Sequence, residues 1–134
     1  DLLSLLSKME QTPQDSPMKR TALFLRFERT IAKHAMAEED IVYPWLKDEA
    51  DRAQAIQKLY EEHARMKVLL FELERSLKED QAWLARVRDL RNEIEPHARQ
   101  EEEVEFPQLR ALMMSRNGTA QLARKIHQEQ GLIV

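Results

Sequence analysis

The chain has 134 residues and a net charge of -3, from 21 Lys and Arg against 24 Asp and Glu. This balance leaves no basic footprint for nucleic acid, and the lack of Cys excludes disulfides, thiolate metal sites and iron–sulfur clusters. Apolar runs are too short to cross a membrane and no secretory signal is visible, so we expect a cytoplasmic protein. Only two Gly and many Ala, Leu, Glu, Lys, Arg, Gln and Met predict an all-α chain, folded as one domain over residues 1–134.

Helix breakers divide the chain into four predicted helices and a short C-terminal helix. Pro44 predicts an end or a kink of the second helix, and Pro96 a kink in the fourth, because a proline inside a helix removes one backbone hydrogen bond. Ser16 and Asp80 are predicted N-caps. The first predicted helix carries Leu2, Leu5, Leu6 and Met9 and is stopped by residues 12–17. The other predicted spans are Pro17 to Tyr43, Asp51 to Lys78, Gln81 to Glu105 and Thr119 to Gly131. Their order indicates an up-down four-helix bundle.

Apolar residues recur every three or four positions along each long helix, which is typical of the seam of such a bundle. Three His and two Glu occupy positions in these stripes where Leu would be expected. A buried carboxylate is costly unless it is paired or bound to a cation. The stripes therefore predict a set of metal ligands: His34, Glu38, His63, His97 and Glu101.

An internal repeat supports the same interpretation. Residues 34–46 align with residues 97–109, an offset of 97 minus 34, or 63 residues. Both segments read His-x-x-x-Glu-Glu, then an acid, an aliphatic residue and an aromatic residue directly before Pro. Residues four apart share a helix face, so the His and Glu of each segment can reach one metal centre. Two such carboxylates on facing helices would repel each other, and a cation between them removes that cost.

The first helix predicts one more ligand upstream of the chain. The Leu-rich stripe that follows His63 has the same internal spacing as Leu2, Leu5, Leu6 and Met9. The position equivalent to His63 would then lie one or two residues before Asp1. We expect a His there, so that the first helix is truncated in this chain.

Other residues near the motifs have simpler interpretations. The acids beside the ligands are predicted to be a solvated face, with a role in orienting an imidazole left open; they are Glu39, Asp40, Glu102 and Glu103. Tyr43 and Phe106 are predicted core residues. Tyr60 belongs to the core or the rim, with a hydroxyl directed at the cavity as the alternative. His127 is predicted to be exposed, with metal ligation as the alternative.

At the two His-x-x-x-Glu segments and at His63, the sequence resembles the hemerythrin-like HHE cation-binding family. The resemblance implies a four-helix bundle that holds two iron ions joined by an oxo or hydroxo bridge. It implies terminal imidazole ligands at His34, His63 and His97, and bridging carboxylates at Glu38 and Glu101. Lys67 stands where the oxygen-carrying hemerythrins have a further His, which places the chain nearer to bacterial relatives linked to sensing or iron handling.

The function expected from these residues is a non-heme di-iron protein that binds or senses O2, NO or peroxide. Nitrogen and oxygen donors without sulfur suit iron or manganese, with zinc less favoured. One alternative is a di-iron oxidase, a peroxidase or a protein that repairs iron centres. Another is a metal-free helical bundle with a structural or interaction role.

Overall fold

The computed structural model describes residues 1–49, 51–76, 78 and 80–115, and this part of the chain contains helices and no strand. The predicted all-α class is therefore confirmed. Asp80 caps its helix as predicted, since its carboxylate accepts a hydrogen bond from the amide of Ala82 at 3.0 Å. The helices are α1 (Leu2–Gln11), α2 (Pro17–Ala37), α3 (Tyr43–Lys47), α4 (Ala53–Arg75), α5 (Gln81–Gln100) and α6 (Phe106–Ser115), with a π-helical turn before α3, π1 (Glu38–Val42), and another before α6, π2 (Glu101–Glu105).

The second and fourth predicted helices do not end where the sequence suggested. After π1 the chain stays helical through Pro44, and after π2 it stays helical through Pro107. The predicted ends at Tyr43 and Glu105 are therefore wrong, while the kink expected as the alternative at Pro44 stays a prediction. A proline ring clashes with the carbonyl four residues earlier in a regular α-helix. The wider π turn in front of each proline offers a physical reason why the helix continues there. α5 also runs without a break through Pro96.

The third predicted helix, which corresponds to α4, is shorter than expected at both ends. It starts at Ala53 instead of Asp51, because Asp51 has a φ of 65° and lies in the left-handed region, where a helix cannot begin. It ends at Arg75, before Lys78. The predicted C-terminal helix, its Asn117-Gly118 turn and His127 lie outside the described residues.

The chain divides into two compact units, and the first comprises Asp1–Ile31 and Glu62–Pro96. Four helical segments, from α1, α2, α4 and α5, share one apolar core in this unit. The core residues are Leu5, Leu6, Met9, Phe24, Phe27, Ile31, Met66, Leu73, Trp83, Val87, Leu90 and Ile94.

Arg20 is a fully buried cation of the first unit. Its guanidinium lies over the ring of Trp83, with 4.7 Å between Cζ and the ring centroid. It also donates hydrogen bonds to the backbone carbonyl of Thr12 at 3.0 Å and to that of Lys78. The side chain thus links the end of α1 to the segment that precedes α5.

The second unit comprises Ala32–Glu61 and the chain from His97 onwards. It contains both π turns. Its apolar core is formed by Ala37, Ile41, Val42, Tyr43, Leu46, Ile56, Leu59, Phe106, Leu109 and Met113. Among the helices that the structure describes, none has the length and apolar character to span a membrane.

Candidate metal centre

Glu38 and Glu101 occupy equivalent places in the two copies of the repeat. Each is the first residue of a π turn, and each backbone carbonyl accepts a hydrogen bond from an amide five residues later, that of Tyr43 and that of Phe106. The 63-residue offset that relates the two segments in sequence thus also relates their backbone conformation. Single π turns inside α-helices are rare and frequently mark functional sites.

The two carboxylates converge on one imidazole inside the second unit. Nε2 of His97 lies 3.3 Å from Oε2 of Glu101 and 3.9 Å from Oε1 of Glu38. A donor atom from each of these three residues lies within 4.8 Å of those from the other two. The side chains are buried, with relative exposures of 5% for Glu38, 5% for His97 and 4% for Glu101. Within the second unit, three of the five predicted ligands therefore lie together.

The hydroxyl of Tyr43 lies among these three side chains. It donates a hydrogen bond to Oε2 of Glu101 at 2.6 Å, and it lies 3.3 Å from Oε1 of Glu38 and 3.4 Å from Nε2 of His97. A phenol has one proton, so it donates to one carboxylate at a time, and Glu101 is the nearer acceptor. Tyr43 is fully buried, as predicted, but its polar end belongs to the candidate site.

Burial, neighbouring charges and hydrogen bonds change the pKa values of Glu101, His97 and Tyr43. Burial, reinforced by the charge of Glu38, raises the pKa of Glu101 to about 7, although His97 opposes the shift. Burial lowers the pKa of His97, but hydrogen bonds and charge from Glu101 and Glu38 outweigh it and raise the pKa to about 10. Burial also raises the pKa of the Tyr43 phenol, with the two carboxylates adding to the effect. These shifts favour the protonated forms of Glu101, His97 and Tyr43.

A metal ion fits this donor set. Two carboxylates and an imidazole are the oxygen and nitrogen ligands that iron, manganese and zinc accept. A cation would stabilise the ionised form of Glu101 that burial and Glu38 disfavour, and it would displace the proton of His97. Glu38, His97 and Glu101 are the residues of the second unit that would hold it.

Two further residues, His34 and His63, were predicted as ligands. His34 lies on the last turn of α2, is partly buried and is not a member of the close group. Burial lowers the pKa of its imidazole, although Glu38 opposes this shift. His63 belongs to the first unit, where it is buried on α4 three residues before Met66, with 5% exposure. Ligation by these residues stays a prediction.

Most of the flanking acids have the solvated positions that the sequence suggested. Asp40, Glu102 and Glu103 are exposed, and Glu39 is partly buried. The hydroxyl of Tyr60 reaches the backbone carbonyl of Glu39 at 3.5 Å. Its ring meets that of Tyr43 edge-on, with centroids 5.0 Å apart and an angle of 75° between the planes. Tyr60 therefore packs behind Tyr43.

Sequence reasoning missed a buried ion pair next to the site. Glu105 is fully buried at the end of π2 and pairs with the guanidinium of Arg52. It also accepts a hydrogen bond from the side-chain amide of Gln100 at 2.9 Å. The repeat contained a signal for this position, because the equivalent residue, Val42, is apolar and equally buried.

The chain is similar to known proteins over most of its length. The family model described as the hemerythrin HHE cation-binding domain matches residues 1–109. A DNA nickase from Nostoc sp. (strain PCC 7120 / SAG 25.82 / UTEX 2576) is 29% identical over 106 residues, which are 79% of this chain and 29% of that protein. The chain thus spans less than a third of the length of this relative. No solved structure matches the chain.

Proposed function

The chain belongs to the hemerythrin HHE cation-binding family, and on that premise we propose that it is a non-heme di-iron protein that binds or senses O2, NO or peroxide. The observation that carries the proposal is the buried group of Glu38, His97 and Glu101. Two carboxylates at such low exposure are costly without compensating charge. Cations between them supply that charge and make the arrangement favourable.

We assign terminal imidazole ligation to the three His of the motifs and bridging to the two Glu. A carboxylate has two oxygens, so Glu38 and Glu101 can each contact two ions, whereas an imidazole nitrogen binds one. Two features support the roles of His34 and His63. Burial lowers the pKa of the His34 imidazole and so favours its neutral form, which is the form that binds metal. His63 is a buried polar residue on an otherwise apolar stripe.

Iron is the metal that suits the proposed function best. The donors are nitrogen and oxygen, and iron supplies the redox change and the open coordination position that a diatomic ligand or peroxide needs. The contribution of the chain is to hold the ions and to exclude bulk water. Tyr43, which contacts both carboxylates, belongs to the apolar core of the second unit together with Ile41, Val42 and Phe106. This core would allow only small molecules to reach the metal ions.

Anaerobic reconstitution with Fe(II) tests the proposal. The wild-type chain is expected to retain two iron ions after gel filtration and to develop a near-ultraviolet charge-transfer absorption on exposure to O2. His97→Ala and Glu101→Gln are expected to lose most of the iron. Glu102→Gln is the matched control, because Glu102 is the exposed neighbour of Glu101.

Two outcomes would contradict the proposal. One is a wild-type chain that retains no iron after reconstitution. The other is equal iron retention by the wild-type chain, Glu101→Gln and Glu102→Gln, which would show that the buried carboxylate takes no part in binding.

A further inference from the structure

We propose that Tyr43 is a positioning residue of the metal centre, whose hydroxyl orients the carboxylate of Glu101 for metal binding. This inference rests on the proposed function. The hydroxyl donates to Oε2 of Glu101 at 2.6 Å, closer than the 3.3 Å between that oxygen and Nε2 of His97, and it lies 3.3 Å from Oε1 of Glu38. A hydrogen bond to one oxygen restricts the orientation of a carboxylate, and therefore the direction in which its other oxygen points.

The π turn is what brings this hydroxyl to the site. Tyr43 follows Glu38 by five positions, and in a regular α-helix such a spacing places two side chains well apart around the axis. In π1 the amide of Tyr43 bonds to the carbonyl of Glu38 itself. The extra residue in the turn thus moves Tyr43 toward the face that carries the carboxylate.

The second copy of the repeat is an internal comparison. π2 has the same backbone hydrogen bond, from the amide of Phe106 to the carbonyl of Glu101. Phe106 is buried like Tyr43 but carries no hydroxyl. Packing alone is therefore satisfied by a phenylalanine at this position of the repeat, and the hydroxyl of Tyr43 is the element that the packing does not require.

Tyr60 packs against the ring of Tyr43. The edge-on contact between the two rings, with centroids 5.0 Å apart, limits the tilt of Tyr43. The hydroxyl of Tyr60 reaches the backbone carbonyl of Glu39, and no hydrogen bond between it and the two carboxylates appears in the described part of the chain. Tyr60→Phe therefore removes a neighbouring hydroxyl while it keeps the ring contact.

The test compares Tyr43→Phe with Tyr60→Phe as its matched control. Fe(II) affinity is measured anaerobically by competition with a chelator, and the carboxylate stretching bands are recorded by infrared spectroscopy with and without Fe(II). Tyr43→Phe is expected to weaken Fe(II) binding by about tenfold or more and to change the splitting of the carboxylate bands, as for other groups that orient metal ligands. Tyr60→Phe is expected to change neither. A merely structural role of the ring would leave the infrared bands of the loaded protein unaltered.

Several outcomes decide between the inference and its rivals. Equal affinity and equal bands in Tyr43→Phe and wild type would overturn it, while iron binding by both would leave the proposed function intact. A phenolate-to-iron absorption in the visible spectrum of the oxidised wild type, lost in Tyr43→Phe, would also overturn it, because Tyr43 would then be a ligand. If Tyr43→Phe does not fold, Tyr43→Met fills the space with a flexible apolar side chain and is measured instead. A wild type without iron would be a failure of the proposed function itself.

Discussion

The amide of Tyr43 donates its backbone hydrogen bond to the carbonyl of Glu38, five residues earlier, and the same two residues meet again through their side chains, with 3.3 Å between the Tyr43 hydroxyl and Oε1 of Glu38. One π turn therefore links the backbone conformation to the chemistry of the site. The turn begins at a buried carboxylate and ends next to a buried phenol. From buried polar groups of this kind we expect a dependence of stability on pH, on metal and on the loss of a single partner.

Replacement of Glu101 by glutamine is expected to stabilise the metal-free protein. The pKa of Glu101 is raised to about 7 in the folded state from an ordinary value of 4.5, so folding favours its protonated form. The corresponding stability is present at low pH and is lost as the pH rises through about 7. At pH 8, Glu101→Gln should raise the free energy of unfolding by about 1–3 kcal/mol.

Urea unfolding of the metal-free variants at pH 8 and pH 5 checks this prediction. The gain should shrink at pH 5, where the folded protein already holds a proton on Glu101. Glu102→Gln, at an exposed position, should leave stability nearly unchanged at both pH values. A loss of stability in Glu101→Gln at pH 8 would show that Glu101 is better compensated than its environment indicates.

Metal binding is expected to release protons and to strengthen as the pH rises. The pKa of His97 is raised to about 10 by the two carboxylates in spite of burial, so its imidazole is protonated at neutral pH in the metal-free state. A metal ion requires the neutral imidazole, and Glu101 must also lose any proton that it holds. Affinity for Mn(II), which avoids oxidation, should therefore increase from pH 6 to pH 8.

Calorimetric titration in two buffers with different ionisation enthalpies measures the released protons directly. In His97→Gln the number of protons released should fall, even where residual binding persists. A number that is independent of pH and unchanged in that variant would show that neither His97 nor Glu101 gives up a proton to the metal.

Arg52→Ala is expected to be among the most destabilising single changes in the second unit. It would leave Glu105 without its guanidinium partner at a fully buried position. Breaking one partner of a buried pair typically costs about 3–5 kcal/mol. Arg52→Met combined with Glu105→Val should recover most of this loss, because Val42 fills the equivalent position of the repeat with an apolar side chain.

Thermal and urea unfolding of the single and double variants provide the measurement. A double variant no more stable than Arg52→Ala would mean that the buried Glu105 carboxylate is not the cause of the loss.

Arg20→Lys is expected to destabilise the first unit although it keeps the charge. The guanidinium of Arg20 spans two backbone carbonyls and lies over the ring of Trp83, and an ammonium group cannot do both. The free energy of unfolding should fall by about 1–3 kcal/mol. Arg26→Lys, at an exposed position of the same helix, is the control. Equal stability of the two variants in urea would mean that the planar geometry of Arg20 contributes nothing.

Helix type and helix faces were predictable because they depend on residues close together in the chain. The step of three and four residues placed His63, His97, Glu38 and Glu101 on inward faces, and all four are buried. The ends of the helices were less predictable. A proline normally stops a helix, and nothing in the local pattern indicated that a π turn would let the chain continue through Pro44 and Pro107.

Helical periodicity is a local property, so the order of residues was enough to establish the all-α class, the repeat and the unusual set of buried acids and imidazoles. The meeting of Tyr43 with Glu101, 58 residues away, and the pairing of Arg52 with Glu105, 53 residues away, became visible only in the folded chain. Such contacts depend on how helices pack and on how each helix is rotated about its axis. One extra residue in a turn changes that rotation enough to move a side chain from the core to the site. The spacing of residues along the chain does not reveal this rotation. Tyr43, which the sequence predicted as a core residue, therefore proved to belong to the candidate metal centre as well.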